Sequence, residues 1–191
     1  MATETWHLFT LTDQRNDIST AQSHKDSAVF APAEVVSRKP GVVELVVRSG
    51  NFTRTMEFQV SNTPLPAWIE PSLKRAGYLL LLPADWDRQG APPIEPSAIQ
   101  NALSALASFM ENGSSLPQWT PTRQGGVQLD WHEEGIDLEI EFPPREHGAT
   151  VVFSDRTNEA ADWDGPLTQH AERLRTLFNE RLTPSYASAG R

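Results

Sequence analysis

The chain has 191 residues and a mass of 21.2 kDa, enough for one domain or two small ones. Apolar residues make up 38% and charged residues 21%, which excludes a wholly disordered chain, and the longest obvious apolar run, Tyr78–Leu82, is far short of a membrane span. A net charge of −9 argues against coating nucleic acid, and the absence of cysteine removes disulfides, thiolate metal sites and a cysteine nucleophile together.

The N-terminal third reads as strands. Trp6–Thr12 and Ala28–Phe30 are short candidates, separated by a polar loop over Asp13–Ser27. Val42–Arg48 and Phe52–Ser61 are stronger, being rich in β-branched and aromatic residues. Ser49-Gly50-Asn51 between them supplies a turn, so a hairpin is expected, with Met56, Phe58 and Val60 on one face and Thr55, Glu57 and Gln59 on the other. Asn62–Pro71 then contains Pro64, Pro66 and Pro71, a density that predicts a connector and no helix. Trp68 and Ile69 would pin it to a neighbouring unit.

Ser72–Leu82 is expected to be a helix capped by Ser72, with Leu73, Ala76, Leu79 and Leu80 inward; a buried strand over Tyr78–Leu82 is the alternative. Ser97–Glu111 is the clearest helix. Pro96 suits its first turn, Glu95 favours its positive end, and Asn112-Gly113 stops it. Ile99, Ala102, Leu103, Leu106, Phe109 and Met110 form its apolar stripe. A second clear helix spans Pro166–Leu182, begun by Gly165-Pro166, with Leu167, Ala171, Leu174, Leu177, Phe178 and Leu182 on one side. Ser185–Arg191 is a small polar tail.

Between these helices a sheet is expected. Val127, Leu129 and Trp131 alternate with Gln128, Asp130 and His132, and Ile136, Leu138, Ile140 and Phe142 alternate with Asp137, Glu139 and Glu141. A loop over Glu133–Ile136 sets Trp131 opposite Leu138, Leu129 opposite Ile140 and Val127 opposite Phe142. A tighter turn at Glu133-Glu134 shifts the pairing by two and keeps the same faces. Thr150–Phe153 returns as a third strand. The fold class is therefore α+β. A β-rich N-terminal unit (1–62), a proline-rich connector (63–71), a helix–antiparallel sheet–helix unit (72–184) and a flexible tail (185–191) are expected. Val127, Leu129, Trp131, Leu138, Ile140, Phe142, Leu103, Leu106, Leu174 and Phe178 form the core.

Two segments stand together around the first clear helix: Asp85-Trp86-Asp87-Arg88-Gln89-Gly90-Ala91-Pro92-Pro93-Ile94, and Pro121-Thr122-Arg123-Gln124-Gly125-Gly126-Val127 running into the acidic strand Asp137–Glu141. This succession resembles a group of small bacterial proteins with no assigned activity, over about residues 72–182. In that group the loop more often reads Trp-Asp-x-Tyr-Gly, and Gln89 stands where the aromatic would be. The resemblance implies an α+β architecture and a bacterial source, and no catalytic residues.

Charge is uneven: residues 114–191 hold thirteen acids and seven bases, so −6 of the −9 lies there. From Asp130 to Glu141 there are six acids in twelve residues and no base. Asp137, Glu139 and Glu141 share a face at steps of about 6.8 Å. In the longer-loop register Asp130 sits opposite Glu139, a repulsive placement. Such a face suits a basic partner or a divalent cation, or is simply a solvated sheet surface that blocks edge-to-edge association. Trp86 beside Asp85 and Asp87 suits a sugar or a cationic partner; alternatively Trp86 packs inward, Asp87 caps the turn and Gly90 takes a backbone conformation that other residues avoid. His132 is placed to pair with Asp137, or to join Glu133, Glu134 and His147 as a metal ligand, although the spacing is not that of a zinc protease. His170 reads as a boundary residue of the last helix.

No nucleophile elbow and no phosphate-binding loop occurs. The leading expectation is a non-catalytic protein-interaction module, antitoxin-like, immunity-like or an accessory subunit. It would contact a basic protein partner through Trp86, Asp87, Asp130, Asp137, Glu139 and Glu141, with no cofactor, no metal, no direct nucleic-acid contact and no membrane. Homo-oligomerisation is compatible with it. Alternatives are a small metal-dependent hydrolase and a structural protein that self-assembles through the exposed edge of the Val42–Ser61 hairpin. The opening Met1–Trp6 has no basic patch or apolar core, from which a cytoplasmic location is expected.

Overall fold

A computed structural model describes residues 11–12, 33–39, 42–49, 52–59, 65–133, 135–145 and 148–183. It contains three helices and two antiparallel sheets, an α+β architecture. The candidates Ala28–Phe30 and Asp13–Ser27, the turn residues Gly50 and Asn51, and the tail lie outside the described residues, as does all of Trp6–Thr12 but its last two.

The first sheet is built on the expected hairpin. Strand β3 (Val42–Ser49) pairs with β4 (Phe52–Gln59), setting Val43 opposite Phe58 and Leu45 opposite Met56. Those four side chains are buried on one face. Two further strands flank the hairpin: β1 (Leu11–Thr12) on β4, and β2 (Glu34–Lys39) on β3. Both outer edges of the hairpin are therefore taken up, in whole or part, where the sequence suggested an exposed edge. The strand β2 itself was missed, because its Val35-Val36 pair is too short to show a period of two.

Helix α1 (Ile69–Leu80) covers this sheet and begins three residues earlier than expected, inside the proline-rich stretch. Pro71 is its third residue. The first four N–H groups of a helix have no intrahelical acceptor, so the missing proline donor costs nothing there. Its inward residues Leu73, Ala76, Leu79 and Leu80 are buried, as are Trp68 and Ile69. Gly77 marks the closest approach: a Cβ built on it would lie 2.3 Å from Ala33 Cβ and 3.2 Å from Leu45 Cδ1. Only a residue without a side chain lets the helix sit this low on the strands.

The second sheet runs in sequence order: β5 (Gln118–Pro121), β6 (Val127–Glu133), β7 (Ile136–Phe142), β8 (Thr150–Asp155) and β9 (Trp163–Pro166). Its central hairpin has the longer-loop register, with Trp131 opposite Leu138, Leu129 opposite Ile140 and Val127 opposite Phe142. Pairing continues to Glu133 opposite Ile136, and Gly135 takes the left-handed conformation (φ +78°) that a two-residue hairpin loop requires. Strands β5 and β9 escaped the sequence reading; each has four residues and ends in proline, too brief for alternation to show. Gly165-Pro166 closes β9, and the last helix starts only after it.

Helices α2 (Pro96–Phe109) and α3 (Leu167–Glu180) lie together on the apolar face of this sheet. The expected stripe of α2 is buried throughout, and all ten expected core residues are buried. On α3, Leu174, Leu177, Phe178 and the following Leu182 are buried, whereas Leu167 and Ala171 are half-exposed. Phe178 joins the layers, its ring 4.8 Å from Phe109 and 5.2 Å from Trp131. Burying each such ring contributes about 1.5–3 kcal/mol. The Trp131 indole N–H donates to the Ser115 carbonyl at 2.9 Å, so the ring is buried without an orphaned donor. Helix α1 also touches α2 and β5, and the buried residues of both sheets form one continuous cluster.

Candidate functional site

Because α2 and α3 cover one face of the five-stranded sheet, the other carries the alternate residues of each strand. The pairings set these in rows. One row runs Gln118, Asp130, Glu139, Val152, Asp164; the next runs Thr120, Gln128, Glu141, Thr150, Pro166. His132, Asp137 and Ser154 form a third. The result is a carboxylate-rich surface with an apolar residue in it, Val152, 49% exposed.

The carboxylates on this face are not equivalent. Asp130 is only 7% exposed, in contrast to the open position expected for it. Its Oδ1 accepts from Gln128 Nε2 at 2.6 Å and its Oδ2 from Thr120 Oγ1 at 3.1 Å. Neighbouring side chains from two strands close over it, which a single strand's alternation does not reveal. Asp137 is gripped by Arg156, whose Nε and Nη2 each donate at 2.6 Å, and lies 2.7 Å from His132 Nδ1. The Arg156 hydrogen bonds, reinforced by His132, hold its carboxyl down at about 2. The His132–Asp137 pair is the one the hairpin suggested. Arg156 was not foreseen, because it arrives from beyond the end of β8, 19 residues away in sequence.

Glu139 is exposed and Glu141 half-buried, and neither forms an ion pair among the described residues. Asp164, exposed on β9, joins them at the far edge. Its contribution was hidden by the reading of Gly165-Pro166 as a helix start. An ionised carboxylate is a pure hydrogen-bond acceptor, suited to the ammonium and guanidinium groups of lysine and arginine.

The loop containing Trp86 and Asp87 is tightly constructed. Asp87 Oδ1 accepts the N–H groups of Gln89 (2.8 Å) and Ala91 (3.1 Å), and Asp85 Oδ1 accepts that of Gly90 (2.7 Å). Asp85, Arg88 and Gly90 all have positive φ, at +62°, +58° and +86°. Trp86 is half-buried, and its indole N–H donates to the Pro92 carbonyl at 3.2 Å. Asp87 also accepts from Arg123 Nε at 2.9 Å, and Arg123 reaches Gln89 as well. Partial burial raises the Asp87 carboxyl, but the Ala91 and Gln89 amides and the Arg123 guanidinium outweigh it, and the net effect is to lower it. Gln89, in the position where an aromatic was noted, thus helps to hold Arg123.

Arg123 belongs to the β5–β6 turn, so the loop stands at the end of the sheet where Glu141 lies. Asp137 is four residues away along β7, about 13 Å. Trp86 and Asp87 therefore flank the acidic face and do not merge with it. Of the proposed metal ligands, His132 and Glu133 are described, whereas Glu134 and His147 lie outside the described residues. Among the described residues no three histidine or carboxylate side chains gather as a cation would need. His170 is half-buried and stacks on Trp163 at 4.6 Å, the boundary position expected for it.

No family model, no curated protein and no solved structure matches this chain. Fold and site define an α+β protein with one five-stranded sheet face covered by helices and the other lined with carboxylates. No helix among the described residues is long and apolar enough to cross a membrane.

Proposed function

We propose that this is a protein-interaction module of the antitoxin-like, immunity-like or accessory-subunit kind, binding a basic protein partner through the face that carries Glu139, Glu141 and Asp164. The observation that supports this reading is a sheet face on which, among the described residues, no helix packs and Glu139, Glu141 and Asp164 form no ion pair, with a half-exposed Val152 in their midst. Charge around an apolar centre is the composition of a contact surface with a polar rim. Asp130 and Asp137 serve this surface indirectly: one is buried beneath it and the other is neutralised by Arg156. The Trp86 loop would extend the contact at one end. The test is titration of the purified chain with its co-purifying partner across a salt series. Affinity falling steeply with added salt supports the reading, because solvent-exposed charge pairs are screened. Salt-independent affinity counts against it.

A further inference from the structure

A cleft of about 480 Å³ lies on the helix-bearing side of the second sheet, between α2 and the connection from β7 to β8. That volume falls in the range of small-molecule sites, about 300–1,000 Å³. Ser97, Asn101 and Ser104 recur at i, i+4 and i+7 on α2 and give the cleft a polar wall. Phe142, Ala149 and Leu167 supply an apolar one. Arg145 stands among the lining residues and is fixed there by its backbone. Its N–H donates to Ser97 Oγ at 3.1 Å, tying the connection to the first turn of α2, and its φ of +66° is a conformation that costs a residue with a side chain.

The Arg145 guanidinium has no carboxylate partner among the described residues, in a chain holding 25 acids. An exposed cation at the rim of an apolar cleft, with no carboxylate partner among the described residues, is complementary to an anion with an apolar body. We infer that this cleft binds a small organic monocarboxylate, its carboxylate on Arg145 and its hydrocarbon along Phe142, Ala149 and Leu167. The site is independent of the acidic face, since Phe142 lies on the opposite side of the sheet.

The experiment is an amide-resolved NMR titration of the full chain with hexanoate and, in parallel, with neutral hexanol. Millimolar hexanoate is expected to shift the Ser97, Asn101, Ser104, Gly148 and Ala149 amides, and to bind about tenfold more tightly than hexanol. Arg145→Gln, a change at an exposed side chain, should abolish that preference and leave the fold unchanged. Ala105→Trp, which fills the cleft, should remove both responses. Absence of shifts in these residues, equal affinity for hexanoate and hexanol, or hexanoate binding unchanged in Arg145→Gln would each overturn the assignment.

Discussion

Asp130 and Glu139 stand directly opposite each other on β6 and β7, with the Gln128 amide 2.6 Å from one carboxylate and 3.4 Å from the other. Like charges across a strand pair are destabilising, and one shared amide offsets this only in part. Glu139→Gln is therefore expected to raise stability by about 0.5 kcal/mol, seen as a higher urea midpoint with an unchanged slope. A lower midpoint would mean that Glu139 is a structural acceptor and not a retained cost. A local cost kept at an open position is what a binding surface looks like from the stability side.

The close approach of α1 to the first sheet gives a second expectation. Gly77→Ala drives a methyl to within 2.3 Å of Ala33 Cβ and should destabilise the chain by about 1–3 kcal/mol in denaturant titration. Adding Ala33→Gly should recover part of that loss. A neutral Gly77→Ala would show that α1 can rise off the strands without penalty.

Two glycines separate backbone strain from crowding. A Cβ on Gly90 or on Gly148 would meet no atom within 4 Å, but only Gly90 has a left-handed φ, +86°. Gly90→Ala should cost about 1 kcal/mol, whereas Gly148→Ala should be neutral or slightly stabilising. Equal thermal shifts for the two would remove the role of conformation at Gly90.

Acid should weaken the fold through two aspartates. Asp137 is held at about 2 by Arg156 and His132, and Asp155 at about 2 by Thr157 and Arg181. An unfolded aspartate titrates at about 3.9, so between these values the unfolded chain binds more protons than the folded one. The stabilisation is complete above the unfolded value and is lost as pH falls through about 2. Arg156→Gln and Arg181→Gln should lower the melting temperature at pH 7 and make the decline between pH 4 and pH 2 shallower. Parallel pH curves for the variants and the parent chain would contradict this.

What the sequence disclosed follows from how local each signal is. The β6–β7 register was legible because a period of two over seven residues leaves one face for Leu129, Ile140 and Trp131, and only the loop length stayed open until Gly135 decided it. The stripe of α2 was legible for the same reason. Strands β5 and β9 were not, since four residues ending in proline carry no period and gain their definition only by pairing. Pro71 misled because position within a helix, not proline itself, sets its cost. In the site, Asp137, Glu139 and Glu141 were found by strand alternation. Arg156, Val152 and Asp164 required the sheet, as did the burial of Asp130.

The most direct measurement compares affinity capture by the parent chain with capture by a Glu139→Gln, Glu141→Gln, Asp164→Asn variant, at low salt and from the native host. A basic partner retained stoichiometrically by the parent chain, released by salt and lost from a variant at least as stable as the parent, is the outcome expected of a partner-binding acidic face. Equal retention by both proteins, or no partner held by the parent chain, would contradict it.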